Sequence, residues 1–184
     1  MKILILKCDV FFDQVLLPFQ VLIYQAAAVS CPEGWKKLSS SETKCYKASS
    51  VAEKLKFQDA IEQCNGMNAT LAEPMNDEEN KNLATNFNAK IRYWIGISDQ
   101  ETEGTFKYVS DSSVVGFISW GNGQPNDKWP KLDCTAFKNE KWNTANCGSK
   151  KFPYICQMDI STSGCDEDDL ICKLKTKIEV KIGL

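Results

Sequence analysis

Apolar residues first recur at helical spacing over Phe57, Ala60, Ile61 and Cys64, which fall at i, i+3, i+4 and i+7 on one face. Asn65-Gly66 follows and predicts the end of that helix. A second helix is predicted after Asn76, an N-cap residue followed by Asp77, Glu78 and Glu79 in the first turn, where acids meet the positive end of the helix dipole. Leu83 and Phe87 give this helix its buried stripe. The period then changes. Tyr93-Trp94-Ile95-Gly96-Ile97 is a continuous apolar run and predicts a buried strand; residues 105–109 predict another. Asp111 to Val115 reads as a turn, and Gly116-Phe117-Ile118-Ser119-Trp120 leads into a polar loop region. Thr135-Ala136-Phe137 and Tyr154-Ile155-Cys156 read as the last core strands, and Thr70-Leu71-Ala72 as a short strand between the helices. Ahead of all these, Cys31 to Tyr46 reads as an opening β-hairpin, with Pro32, Gly34 and Ser39-Ser40-Ser41 as turn residues. There is no internal repeat. Gly121-Asn122-Gly123 lacks the third glycine and the following helix of a phosphate-binding loop.

Both ends depart from this pattern. Val15 to Tyr24 is apolar apart from Gln20, Lys2 gives a basic start, and Ala26-Ala27-Ala28 offers small residues for cleavage. Residues 1–28 therefore read as a secretory signal, with an uncleaved N-terminal membrane anchor as the alternative. Residues 29–157 form the domain and 158–184 a tail. In the tail, Leu174, Thr176, Ile178, Val180 and Ile182 alternate with Lys175, Lys177, Glu179 and Lys181, a strand period. Leu170, Leu174, Ile178 and Ile182 also fit one helix face. The two readings of the tail are a homo-oligomer contact made by an unpaired edge and a loosely ordered segment.

The 184 residues carry 22 basic and 24 acidic side chains, a net charge of −2 with no basic stripe, which argues against a nucleic-acid partner. Histidine is absent, and with it Ser-His and Cys-His nucleophile pairs and histidine-based zinc sites. Of nine cysteines, Cys8 lies in the N-terminal apolar segment; the other eight form an even set suited to disulfides in an oxidising compartment. None forms a CxxC pair, which removes zinc-ribbon and thioredoxin-like readings. Cys165 and Cys172 in the tail could close a local loop around Asp166, Glu167, Asp168 and Asp169, or link two chains. Asn68-Ala69-Thr70 is an N-glycosylation sequon.

The most informative stretch runs from Trp120 to Cys147, WGNGQPNDKWPKLDCTAFKNEKWNTANC. It places Gln124-Pro125-Asn126 ahead of Cys134 and Trp142-Asn143-Thr144 ahead of Cys147. With Trp35, the helix bearing Cys64 and the Trp94-Ile95-Gly96-Ile97 strand, it resembles the C-type lectin domain family, over about residues 31–157. The resemblance implies an α+β fold: two helices packed on antiparallel β-sheets, with long irregular loops presenting the ligand site. It implies the disulfides Cys31–Cys45, Cys64–Cys156 and Cys134–Cys147, a connectivity that spacing alone does not give.

In sugar-binding members, a calcium ion that also grips two sugar hydroxyls is held by a Pro-containing triplet, an acid ahead of the cysteine, and the Asn-Asp of a Trp triplet. The matching positions here are Gln124, Asn126, Leu132, Asn143 and Thr144, and none is a carboxylate. Calcium takes about six to eight oxygen ligands and binds more tightly as carboxylates are added. The primary site is therefore read as degraded. The auxiliary calcium site of the family maps onto Asp99, Glu103, Asp127 and Asp133, all acids. These four are read as a metal cage that pins the loops, the alternative being four solvated loop acids. Pro125 matches a position often preceded by a cis peptide; the alternative is a trans turn proline. Trp129 either stacks on a sugar or anchors a protein partner, or folds onto the core. Trp35, Trp94, Trp120 and Trp142 read as core. Lys128, Lys131, Lys138 and Lys141 read as solvated surface, with a basic rim as the alternative.

Two functions follow. One is a secreted module recognising an extracellular glycan or glycoprotein through Gln124, Asn126, Trp129, Asn143 and Thr144. The other is a calcium-independent module binding a protein or other non-sugar surface. Gln-Pro-Asn is a hybrid of the mannose-type Glu-Pro-Asn and the galactose-type Gln-Pro-Asp and selects neither. An enzyme has little support, since nothing in the spacing sets Asp133 and Glu140 facing one another as a glycosidase pair.

Overall fold

A computed structural model describes residues 30–39, 43–126 and 131–160. The signal reading of residues 1–28, the Cys165–Cys172 pair and the amphipathic tail lie outside the described residues. Two four-stranded antiparallel sheets carry the fold. The first contains β1 (Lys36–Lys37), β2 (Lys44–Ala48), β8 (Ile155–Asp159) and β3 (Thr70–Leu71), in that order. The second contains β5 (Lys107–Tyr108), β4 (Tyr93–Ser98), β6 (Cys134–Lys138) and β7 (Lys141–Ala145). Among the described residues two helices complete the fold, α1 (Phe57–Asn65) and α2 (Asp77–Asn86).

β4 is buried along its whole length, which is why its sequence is apolar without alternation. It also joins the sheets: Trp94 N donates to the Pro153 carbonyl and Gly96 N to the Ala72 carbonyl, each at 2.8 Å. Gly96 is required by this approach, because a Cβ there would sit 2.8 Å from Cγ of Glu73. Beneath α1, Phe57 packs edge-on to Trp94 with ring centroids 5.4 Å apart, and Trp94 Nε1 donates to the Leu55 carbonyl at 2.8 Å.

The Asn76 cap forms as its sequence predicts: Asn76 Oδ1 accepts from Glu79 N at 2.9 Å, an interaction worth about 1 kcal/mol. Glu79 is itself buried. Its Oε2 accepts from Met75 N at 2.9 Å and its Oε1 from Lys44 Nζ at 3.1 Å, tying α2 to β2. Three disulfides join Cys31 to Cys45, Cys64 to Cys156 and Cys134 to Cys147, the pairings the resemblance implies.

Several elements differ from the pattern-based expectation. Phe87 stands beyond the last turn of α2 in extended backbone, so it packs against the core from the helix exit, half-buried. The strand expected over residues 105–109 is only Lys107–Tyr108; Val109 N still donates to the Gly96 carbonyl of β4, while the Phe106 carbonyl accepts from Val115 N on the other side. β7 had no apolar run to announce it; pairing with β6 makes it a strand. Trp94 and Trp142 are fully buried, whereas Trp35 and Trp120 are half-buried against the core.

Candidate functional site

The loops converge where β6 and β7 meet the segment 114–126. Trp142, fully buried in β7, is the support. Its ring meets Trp120 at 5.6 Å and Phe117 at 5.5 Å, both edge-on. Its Nε1 donates to Asn80 Oδ1 at 2.8 Å, and Asn80 Nδ2 donates to the Glu140 carbonyl at 2.8 Å, so α2 braces the β6–β7 turn. The loop is stitched to β7 by backbone bonds of 2.9 Å, from Trp142 N to Ser119 O and from Gly121 N to Trp142 O. Gly121 has little room for a side chain: a Cβ there would sit 3.2 Å from Asn143 Oδ1.

This frame brings Gln124 against Thr144. Gln124 Oε1 accepts from Thr144 N at 2.8 Å and from Thr144 Oγ1 at 2.9 Å. Thr144 Oγ1 in turn accepts from Asn126 N at 3.1 Å. The Gln124–Pro125 peptide between them is cis. Three of the five sequence-predicted ligand residues, Gln124, Asn126 and Thr144, are thus joined; Asn143, next to Thr144 on β7, sets its Oδ1 beside Gly121 instead, and Trp129 lies outside the described residues. Leu132, at the position that carries an acid in sugar-binding members, is half-buried. This donor set does not fit a calcium ion. It holds no carboxylate, and the Gln124 carbonyl oxygen already receives two hydrogen bonds.

The neighbouring acids differ. Asp99 is 3% exposed at the end of β4. Its Oδ2 accepts from Gly104 N at 3.0 Å, but Oδ1 is buried with no hydrogen-bond partner among the described residues. Its amide donates to the Asp133 carbonyl at 3.0 Å, which sets the two residues side by side. Burial pushes the Asp99 carboxyl above the ordinary aspartate range, and the charges of Glu103 and Asp133 push it further the same way. A cation would answer both the orphaned oxygen and the like-charge crowding, so the chemistry fits a hard ion. Among the described residues no three such side chains converge closely enough to hold one alone. Asp127, the fourth acid, lies outside them.

Two features escaped the sequence reading. Glu73 is buried, accepting from Ser110 N at 2.9 Å and Ser110 Oγ at 2.6 Å. Val114 and Ile118, read as turn and connector, are 64% and 62% exposed and border an apolar groove that ends at Pro125. The signal in both cases was an isolated residue of the wrong polarity for its setting.

The Lectin C-type domain family model matches residues 53–158. A perlucin-like protein of Mytilus galloprovincialis is 35% identical over 137 residues, 71% of this chain and 84% of the relative. CD209 antigen-like protein C of Mus musculus is 30% identical, covering 74% of this chain and 73% of the relative. Among solved structures, the mouse scavenger receptor C-type lectin carbohydrate-recognition domain superposes with TM-score 0.63 at 31% identity, over 71% of this chain and 98% of that one. The chain belongs to the C-type lectin domain family. Its relatives include carbohydrate-recognition domains.

Proposed function

We propose that this chain is a secreted, non-enzymatic recognition module that binds extracellular carbohydrate through Gln124, Asn126, Asn143 and Thr144 without a calcium ion among them. One observation carries the reading: the Gln124 carbonyl oxygen is held by the Thr144 amide and hydroxyl at 2.8 and 2.9 Å. The bridge fixes the triplet to β7, the job an ion does in sugar-binding relatives, and leaves the Gln124 amide nitrogen as the group that faces a ligand. The likeness to the mouse carbohydrate-recognition domain supports a sugar as the ligand. Asp99, Glu103, Asp127 and Asp133 would hold a calcium ion, which would supply positive charge to these carboxylates and so tie the loops together. Asn68, exposed in the turn after α1, carries an N-linked glycan.

A glycan array of the refolded mature domain, run in calcium and in chelator, tests this. Retention of the same glycans in both buffers is expected, weakened in chelator as the loops loosen. An all-or-none loss in chelator would put the ion back in the primary site. No signal in either buffer from a folded domain would sink the sugar reading and leave the protein-binding one. A mass decrease on enzymatic deglycosylation checks Asn68.

A further inference from the structure

The groove that ends at Pro125 is apolar in a region otherwise built of polar loops. Its walls are Phe106, Val115 and Trp120, each half-buried against the core, with Val114 and Ile118 largely exposed at its edge. Phe106 and Trp120 meet edge-on at 4.6 Å, forming a continuous aromatic surface. The volume is about 270 Å³, enough for a short hydrocarbon chain or one ring. Among the described residues no charged side chain lines it; Gly104 and Thr105 complete the wall. The backbone around it is fixed. Val115 N donates to the Phe106 carbonyl at 3.0 Å and Tyr108 N to the Ser113 carbonyl at 2.9 Å, so Val114 is held in a ladder against Lys107 with its side chain outside. Val51, Met75, Val114 and Ile118 are the large apolar side chains most exposed among the described residues, and of these four Val114 and Ile118 share this groove.

The position of the groove says what covers it. Pro125 is its end wall and also the middle residue of Gln124-Pro125-Asn126, so the groove adjoins the amide-bearing triplet and offers a hydrocarbon surface next to it. We propose that this groove is a subsite for an apolar aglycone, a short alkyl group carried by the sugar bound at Gln124 and Asn126. An ionic headgroup finds no counter-charge among the described lining residues, and a second sugar ring finds few polar partners there. The proposal rests on the sugar reading of the neighbouring site.

The test compares methyl and n-hexyl glycosides of mannose and of galactose, titrated into the full domain, with hexanol as a sugar-free probe. Methyl resonances of Val114, Val115 and Ile118 report occupancy. The hexyl glycoside should bind about tenfold or more tightly than its methyl partner and shift those resonances, since burying even two methylenes is enough for that ratio. In the Val114→Ser/Ile118→Ser variant, checked for folding by its melting transition, the ratio should fall below about threefold. Equal affinity of the methyl and hexyl forms of a sugar that does bind would overturn the subsite and leave the sugar reading intact. Resonance shifts with hexanol while neither glycoside series binds would overturn both. A dimer at micromolar concentration that Ile118→Ser abolishes would also overturn the proposal, since a second copy would then cover the groove.

Discussion

Gln124 and Asp99 occupy comparable places: each presents a side-chain oxygen at a position that the family resemblance matches to a calcium ligand. Their surroundings are opposite. The Gln124 oxygen receives two hydrogen bonds from one residue, Thr144, and is complete without an ion. Asp99 keeps one buried oxygen with no hydrogen-bond partner among the described residues, beside two further acids that raise its pKa. A neutral, satisfied acceptor gains little from a cation, whereas a buried carboxylate costs free energy until something answers it. A cation would therefore be more stabilising beside Asp99 than beside Gln124.

The largest effect that bears on this comparison comes from removing the support under the Gln124 side. Trp142→Ala should destabilise the domain by about 3–5 kcal/mol, a typical cost for deleting a buried aromatic, and urea unfolding reads it directly. A loss below about 1 kcal/mol would mean that the loop does not lean on this ring.

Calcium separates the two halves next. At a concentration about a hundredfold above its dissociation constant, calcium should add about 2.7 kcal/mol, a rise of roughly 5–10 °C in the melting midpoint. Asp99→Asn should abolish the rise. The Asp99 carboxyl takes a proton at higher pH than an ordinary aspartate, so acidification through the range above about 3.9 should release the ion early. An unchanged midpoint in millimolar calcium at neutral pH would count against the cage.

A smaller change is expected from Thr144→Val, which keeps the shape and removes the hydroxyl. Gln124 Oε1 then retains the backbone donor alone and Asn126 N loses its acceptor, at a cost of about 1–2 kcal/mol. The calcium-induced rise should survive this variant.

The smallest effect lies outside both halves, at Glu73. Burial raises its carboxyl above the ordinary glutamate range against the lowering by its Ser110 hydrogen bonds, and Asp111 adds to the rise. The folded state therefore holds this proton more tightly than the unfolded chain. Its contribution to stability is greatest below about pH 4.3 and is lost as pH rises toward the folded-state value. Between about pH 4 and 7 the native protein should lose stability relative to Glu73→Gln, as melting at several pH values would show. Parallel curves would mean that the carboxylate is fully compensated by Ser110.

Much of this architecture was legible in the sequence because its signals are local. The apolar face of α1, the Asn76 cap and the unbroken apolar run of β4 each follow from spacing over a few residues. The loop region was legible in part by position: Gln124, Asn126 and Thr144 are hydrogen-bonded together. What was not legible depends on contacts between distant residues. The Gln124–Thr144 bond spans twenty positions and reads in sequence only as two lost acids. β7 is polar at its exposed positions and exists because β6 lies beside it. Phe106, Val114 and Ile118 belong to three separate stretches, so their groove has no linear signature. Glu73 looks like an ordinary loop acid until Ser110 and Gly96 close around it.

Counting ions separates the Gln124 half from the Asp99 half. Isothermal titration of the metal-free domain with calcium should give one ion per chain. Asp99→Asn should eliminate that binding, and Thr144→Val should leave it in place. Two ions per chain, or one ion lost in Thr144→Val and kept in Asp99→Asn, would contradict the account.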